Sequence, residues 1–259
     1  MPELIRDEGI VLRRRTFADA DRILVIFTRD GGKRSVLARG ARRARSRNAA
    51  GVDLLTRSEL LLVPGRQMAV LAQARSVGLP WPGEDIVRTA CGGVLAELVD
   101  ATLEEGHPEP ELYRLVAAAR ERMADLGGDP RLELALVAFQ IASSGGYRPE
   151  LRHCAGCGKE LQDRSGGFVP ALGGVVQGGC RELGGDVQPC SAASLRVLRR
   201  MEAGDLELLR RLRWTPAMRD EVEAVLLAHL EHHLDRPLKS ARILFEFRSL
   251  STSTPRGGT

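Results

Sequence analysis

The chain has 259 residues, 43% of them hydrophobic and 28% charged. These are ordinary globular values, which exclude wholesale disorder and allow one or two domains with a substantial core. Net charge is only +4, but residues 1–75 hold 16 Lys and Arg against 8 Asp and Glu, while the remainder holds 22 against 26. An arginine-rich composition explains why only three of 38 basic residues are lysine. It does not explain why the excess sits at one end, which suggests a nucleic-acid or other polyanion face there. The opening MPELIRDEG has no apolar run after a basic start, and no stretch approaches the roughly 18 uncharged apolar residues of a membrane span. The expectation is a cytoplasmic protein, nucleoid-associated if its partner is DNA, with no membrane contact.

The first 80 residues read as strands. One begins at Gly9-Ile10-Val11-Leu12. A β-branched run over 22–28 ends at Asp30-Gly31-Gly32 and resumes over 34–38, a hairpin signature. Runs over 54–63 and 68–77 follow, separated by Pro64-Gly65-Arg66-Gln67. Five short strands at this spacing suit a small barrel. Between the third and fourth, residues 39–47 include five arginines and no large apolar residue, which predicts a mobile, solvated loop.

Pro80-Trp81-Pro82-Gly83 marks a boundary, after which apolar residues recur at helical spacing over 84–105. Further helices are expected over 108–126 and 130–142, the latter broken by Ser143-Ser144-Gly145-Gly146. A Gly-rich insert over 151–190 surrounds four cysteines. Helical periodicity returns after Ser191, a good N-cap, then over 215–234 with Pro216 at the first turn, and over 238–250. The organisation expected is a barrel over 1–80, a helical domain over 84–150 and 191–250, the insert within it, and a disordered tail over 251–259.

Cys154-Ala155-Gly156-Cys157, Cys180 and Cys190 form C-x2-C-x22-C-x9-C. Two residues between cysteines let both thiolates face one ion, and four thiolates suit a tetrahedral structural zinc with no open catalytic position. The x9 interval is wider than a usual knuckle. His153 is an alternative ligand, and four free thiols with no metal is the plain alternative. The insert has little apolar content, so the ion is expected to organise it. Cys91 stands apart in a helix.

The second signal is basic. Arg39, Arg42, Arg43, Arg45 and Arg47, with Lys33 and Arg34 before them and Arg14 on the first strand, offer guanidinium forks for phosphate oxygens. A merely solvated face is the alternative. Rings for base stacking are few: Phe17 and Phe27 in the barrel, Trp81 at its edge. Binding is therefore expected to be phosphate-dominated and salt-sensitive. There is no Walker A motif, no Rossmann fingerprint and no G-x-S-x-G elbow. His229, His232 and His233 share a predicted helix but do not form H-E-x-x-H, and read as surface or capping residues. No enzymatic activity is expected.

Several segments together resemble the RecO family of recombination mediators. They are Glu8-Gly9-Ile10-Val11-Leu12, Asp19-Ala20-Asp21-Arg22-Ile23-Leu24, Lys33-Arg34 leading into Val36-Leu37-Ala38-Arg39-Gly40-Ala41-Arg42-Arg43, Ser143 through Pro149 running into Cys154-Ala155-Gly156-Cys157-Gly158, and Leu238-Lys239-Ser240. The resemblance implies an α+β protein with an N-terminal OB-fold and an all-α domain carrying a zinc-finger-like module. It implies DNA repair by annealing of complementary strands, on single- and double-stranded DNA, including strands coated by single-strand-binding protein. It further implies partnership with RecR, in some members RecF, to place RecA on gapped DNA. By position, Lys33, Arg34, Arg39, Arg42 and Arg43 resemble the family's DNA-contacting residues, and Cys154, Cys157, Cys180 and Cys190 its metal ligands, though some members lack cysteines here. The competing readings are a non-catalytic protein-interaction adaptor with a structural zinc module, a zinc-ribbon factor reading base edges of duplex DNA, and a hydrolase using the histidine cluster.

Overall fold

Residues 5–76 form five strands: β1 (Ile5–Phe17), β2 (Asp21–Thr28), β3 (Gly32–Ala38), β4 (Arg57–Val63) and β5 (Ala69–Ser76). The computed structural model describes residues 3–43, 45–162, 166–183 and 185–252, the side chains of 181–183 and 247–252 excepted. The strands close into a barrel in the order β1-β2-β3-β5-β4, with β4 returning to β1. All pairs are antiparallel except β3 with β5, which pair in parallel at Val36↔Ala69 and Leu37↔Val70. This is the five-stranded Greek-key arrangement of an OB-fold.

Inward residues Val11, Leu24, Ile26, Val36, Leu60, Leu62 and Leu71 fill the barrel. The opposite face of β2 is buried too: Phe27 meets Tyr113 edge-on, ring centroids 5.3 Å apart. The β2–β3 turn needs glycine. Gly32 has φ +69, and a Cβ there would stand 2.0 Å from the His107 carbonyl oxygen. That close approach has a purpose. β3 pairs with β5 only near its end, so its earlier edge is covered by 105–106 instead. Gly106 N–H donates to the Lys33 carbonyl (2.8 Å), and Ser35 N–H to Glu105 Oε1 (3.1 Å), leaving fewer unpaired edge groups.

Contacts divide the chain into two compact units, Met1–Pro130 with Lys239–Thr259, and Arg131–Leu238. The first unit adds α1 (Ile86–Thr102), α2 (Pro110–Ala124) and α7 (Lys239–Thr252) to the barrel. Asp85 caps α1 by accepting from Arg88 N–H, and Pro110 opens α2. Arg88, itself buried, closes the other end of α2 by donating to the carbonyls of Met123, Leu126 and Gly128 at 2.6–2.9 Å. The carboxylate of Glu97 on α1 accepts from the N–H groups of Lys239 and Ser240, capping α7. By contact, α1, α2 and α7 group with the barrel.

The second unit holds α3 (Pro130–Ser144), α4 (Ala192–Glu202), α5 (Leu206–Arg211) and α6 (Pro216–His233), with a three-stranded sheet of β6 (Gly166–Val169), β7 (Gly174–Val176) and β8 (Gln188–Cys190) in the order β7-β6-β8. Helix α3 is apolar on nearly every side and is buried accordingly. Ser191 caps α4 as expected, accepting from Ser194 N–H. Buried acids on these helices are paired: Arg131 forks onto Glu223, and Arg210 onto Glu133.

Three expectations change. The cysteine insert carries an apolar centre of its own, Phe168, Val169, Val175 and Val176, all buried. Helix α5 has too few residues to show periodicity. The tail expected over 251–259 has its first two residues in α7, and 253–259 lie outside the described residues. No helix among the described residues is long and apolar enough to cross a membrane.

A basic barrel loop and a cysteine cluster

The loop after β3 is held at both ends. Gly40, at φ +63, donates its N–H to Asp21 Oδ1 (2.7 Å), and Arg42 N–H donates to the Ala20 carbonyl (2.9 Å). At the far end Asn48 Oδ1 accepts from Ala74 N–H (3.0 Å), and Val52 and Leu55 drop into the core. Backbone bonds from Arg43 to Gly40 and from Ser46 to Arg43 fold the segment between them. The solvated loop expected is thus anchored at both ends, because Asn48 and Val52 tie a sequence without large apolar side chains to the barrel.

On this turn Arg39, Arg42, Arg43, Arg45 and Arg47 are all exposed. Arg42 Nη1 donates to the Asp19 carbonyl (3.1 Å), which leaves its charge uncancelled. Among the described residues no hydrogen bond or ion pair engages the side chains of Arg39, Arg43, Arg45 or Arg47. The other expected contacts differ. Arg14 is ion-paired with Asp53, which also takes Arg22 at 3.1 Å. Lys33 is mostly covered, its Nζ 2.7 Å from the Asp100 carbonyl oxygen and 3.3 Å from its carboxylate. Arg34 Nε donates to the Gly31 carbonyl (3.2 Å). Lys33 and Arg14 are thus committed to acids remote in sequence, a pairing that strand alternation does not reveal. Phe27 is core and Phe17 is exposed at the end of β1.

In the second unit, Cys154, Cys157 and Cys180 bring their sulfurs within 4.8 Å of one another. The knuckle turns as its glycines allow. Gly158, at φ +73, donates to the Cys154 carbonyl (2.8 Å), and Cys154 N–H to that of Lys159 (2.7 Å). Burial opposes ionisation of the Cys154 thiol, but backbone N–H groups of Gln177, Gly156 and Cys157 bring it down to about 7. Cys180 is held up at about 11, chiefly by its hydrogen bond with Cys157. Three thiolate donors this close fit a borderline-soft ion such as zinc.

Cys190 is not in the group. It ends β8 with 1% of its surface exposed, and its sulfur lies 4.0 Å from the Ser191 carbonyl oxygen. Burial, then the Glu221 carboxylate, pushes its thiol up to about 12. Of the four cysteines expected from spacing, three have their sulfurs together in this group. His153 is also outside it, exposed and 3.7 Å from Glu150 Oε1. Spacing passed over Gln177, whose side-chain Nε2 donates to Cys157 Sγ at 3.2 Å.

His229 was expected at the surface. It is instead 1% exposed, edge-on to Phe168, with Nε2 donating to the Tyr147 carbonyl at 2.6 Å. Nδ1 has no hydrogen-bond partner among the described residues. Burial, and then the neighbouring His233 and His232, lower its pKa to about 4. The unfolded chain binds the proton more tightly, so this stabilisation is complete above about pH 6.5 and is lost as pH falls towards 4. The predicted loss is about 2–3 kcal/mol. Urea midpoints of the wild type and His229→Gln across pH 4–7 test it, and equal pH dependence of the two would refute it.

Comparison with known proteins adds the family. Residues 1–80 match the model described as "Recombination protein O N terminal", and residues 83–242 match "Recombination protein O C terminal". The DNA repair protein RecO of Symbiobacterium thermophilum is 35% identical over 245 residues, 93% of this chain and 97% of that one. That of Desulforudis audaxviator is 37% identical over 239 residues, 92% and 94% of the two chains. That of Roseiflexus sp. is 34% identical over 254 residues, 96% and 88%.

Proposed function

The chain belongs to the RecO family of DNA repair and recombination proteins, and on that premise we propose that it binds DNA through the arginine turn of its barrel and anneals complementary strands. The observation that carries this reading is the row Arg39, Arg42, Arg43, Arg45 and Arg47, exposed and with no acid neutralising it among the described residues. Such a row meets phosphates without first breaking an internal ion pair, and each neutralised phosphate releases counterions.

Two complementary strands repel through their phosphates. Neutralising both lowers that cost and raises their local concentration. Base pairing then supplies specificity and free energy, so no side chain has to make or break a covalent bond. Arg34 lies towards the other end of β3, its Nε bonded to the Gly31 carbonyl, while Lys33 and Arg14 are tied to Asp100 and Asp53. The shortage of exposed rings accords with phosphate contacts and little sequence preference. In the cell this activity serves to load RecA, with RecR and in some relatives RecF, on strands coated by single-strand-binding protein. Cys154, Cys157 and Cys180 would hold a structural zinc ion. Bound there, the ion would tie the 154–157 knuckle to the 177–180 segment.

The test is annealing of two complementary single strands, each coated with the cognate single-strand-binding protein, across a salt series. The expected result is acceleration that fades as salt rises. Folded protein that gives no acceleration at any salt would overturn the reading in favour of an adaptor that binds only proteins.

A further inference from the structure

We propose that the fourth corner of the cysteine centre belongs to Gln177, so that a bound ion is held by three sulfurs and an amide, and that Cys190 is a core residue and no ligand. The inference rests on the reading that the cluster binds metal, and it concerns the donor set alone.

Two short turns face each other. Cys154-Ala155-Gly156-Cys157 is one, and Gln177-Gly178-Gly179-Cys180 has the same two-residue interval. In the second, Cys180 N–H donates to the Gln177 carbonyl (2.8 Å), which closes the turn, and glycine fills both middle positions. β7 delivers Gln177 to the site: Ala155 N–H donates to the Val175 carbonyl (2.9 Å), fixing the first turn against the strand two residues before Gln177. Gln177 then reaches both cysteines of the first turn. Its backbone N–H lies 3.5 Å from Cys154 Sγ, and its side-chain Nε2 lies 3.2 Å from Cys157 Sγ. Two facing turns of this kind would each place two ligands around a tetrahedral ion. Here three of the four positions are cysteine and the fourth is Gln177.

The amide suits the position. A half-turn about its last bond exchanges Nε2 for Oε1, the end that carries lone pairs. Three thiolates already outweigh a divalent charge, and a neutral fourth donor adds no further repulsion. Oxygen is a weaker donor than thiolate to zinc, so the corner opens more readily to water or a chelator. Cys190 cannot take it without leaving β8, where it pairs with Gly166 on β6.

The full-length chain loaded with Co(II) gives the readout, with metal content and thiolate-to-metal charge-transfer absorbance measured per chain. Cys190→Ala should retain one ion and the full absorbance. Gln177→Cys should raise the absorbance by about one third, the step from three sulfurs to four, and slow metal loss to a chelator. Gln177→Ala should keep the three-sulfur absorbance and lose metal faster. A fall of about one quarter in Cys190→Ala, with circular dichroism unchanged, would make Cys190 a ligand and overturn the inference while leaving the metal reading intact. Should Cys190→Ala not fold, Gln177→Cys alone decides, and unchanged absorbance there overturns it. A wild type that takes up no Co(II) or zinc overturns both readings together.

Discussion

Arg131→Met is expected to destabilise the second unit by about 3–5 kcal/mol, the range found when one partner of a buried ion pair is removed. The guanidinium donates through Nε and Nη2 to the two oxygens of Glu223 at 2.7 and 2.6 Å, and through Nη2 to Asp220 at 2.5 Å. Burial works against the charge on Arg131, but the two carboxylates outweigh it and raise its pKa. Glu223 is 1% exposed, and no water can replace the fork without entering the helix packing. Losing the arginine therefore leaves a carboxylate that must be protonated or hydrated in a space shaped for neither. Urea unfolding followed by circular dichroism measures the effect. Arg131→Met/Glu223→Leu should recover much of the loss, since an apolar pair of similar volume removes both charges. A single variant that loses under about 1 kcal/mol would show that the fork is not what stabilises α3 against α6.

The largest functional effect is expected from Arg39→Ala/Arg42→Ala/Arg43→Ala. Each exposed arginine lost should reduce the slope of log affinity against log salt by about one. The triple variant should therefore bind weakly at low salt and respond less to added salt. Fluorescence anisotropy with a labelled single strand, repeated over the salt series, measures both. Lys33→Met is the contrast. It should leave the slope nearly unchanged and lower stability, because Asp100, which also takes Arg13 at 3.5 Å, loses its nearer partner. A triple variant with the parental slope would remove the turn from the DNA interface.

The barrel was legible in sequence because its strands are long enough to show a pattern, in β2 a continuous β-branched run. Hairpin chemistry at Asp30-Gly31-Gly32 marked the β2–β3 turn, and Gly32 proved obligatory. The helices other than α5 were legible from period, and Ser191 from its capping chemistry; Asp85 and Thr215 likewise each accept from an N–H three residues on. β6 to β8 were not, since strands of three or four residues carry no pattern, and β6 and β7 open on glycine. The basic turn was legible as charge but not as free charge. Whether an arginine is available depends on acids such as Asp53 and Asp100, brought near only by folding. At the cysteines, ligand spacing was counted over sulfur alone. That count passed over Gln177 and took in Cys190, whose place is decided by the pairing of β8 with β6.

The first unit is interrupted. Its chain leaves at Pro130 and returns at Lys239, where the N–H groups of α7 meet Glu97 across 142 and 143 residues of sequence. Synthesis runs from one end, so the barrel, α1 and α2 are made first and must wait for α7 until the whole second unit has emerged. The later unit has all its own strands and helices before the earlier one has its last. Until then the face of α1 that α7 covers is open to other chains, and closing so long a loop is slow as well as entropically costly. The order in which this protein is made is thus the reverse of the order in which its two parts can be finished, and its most vulnerable moment falls on the ribosome.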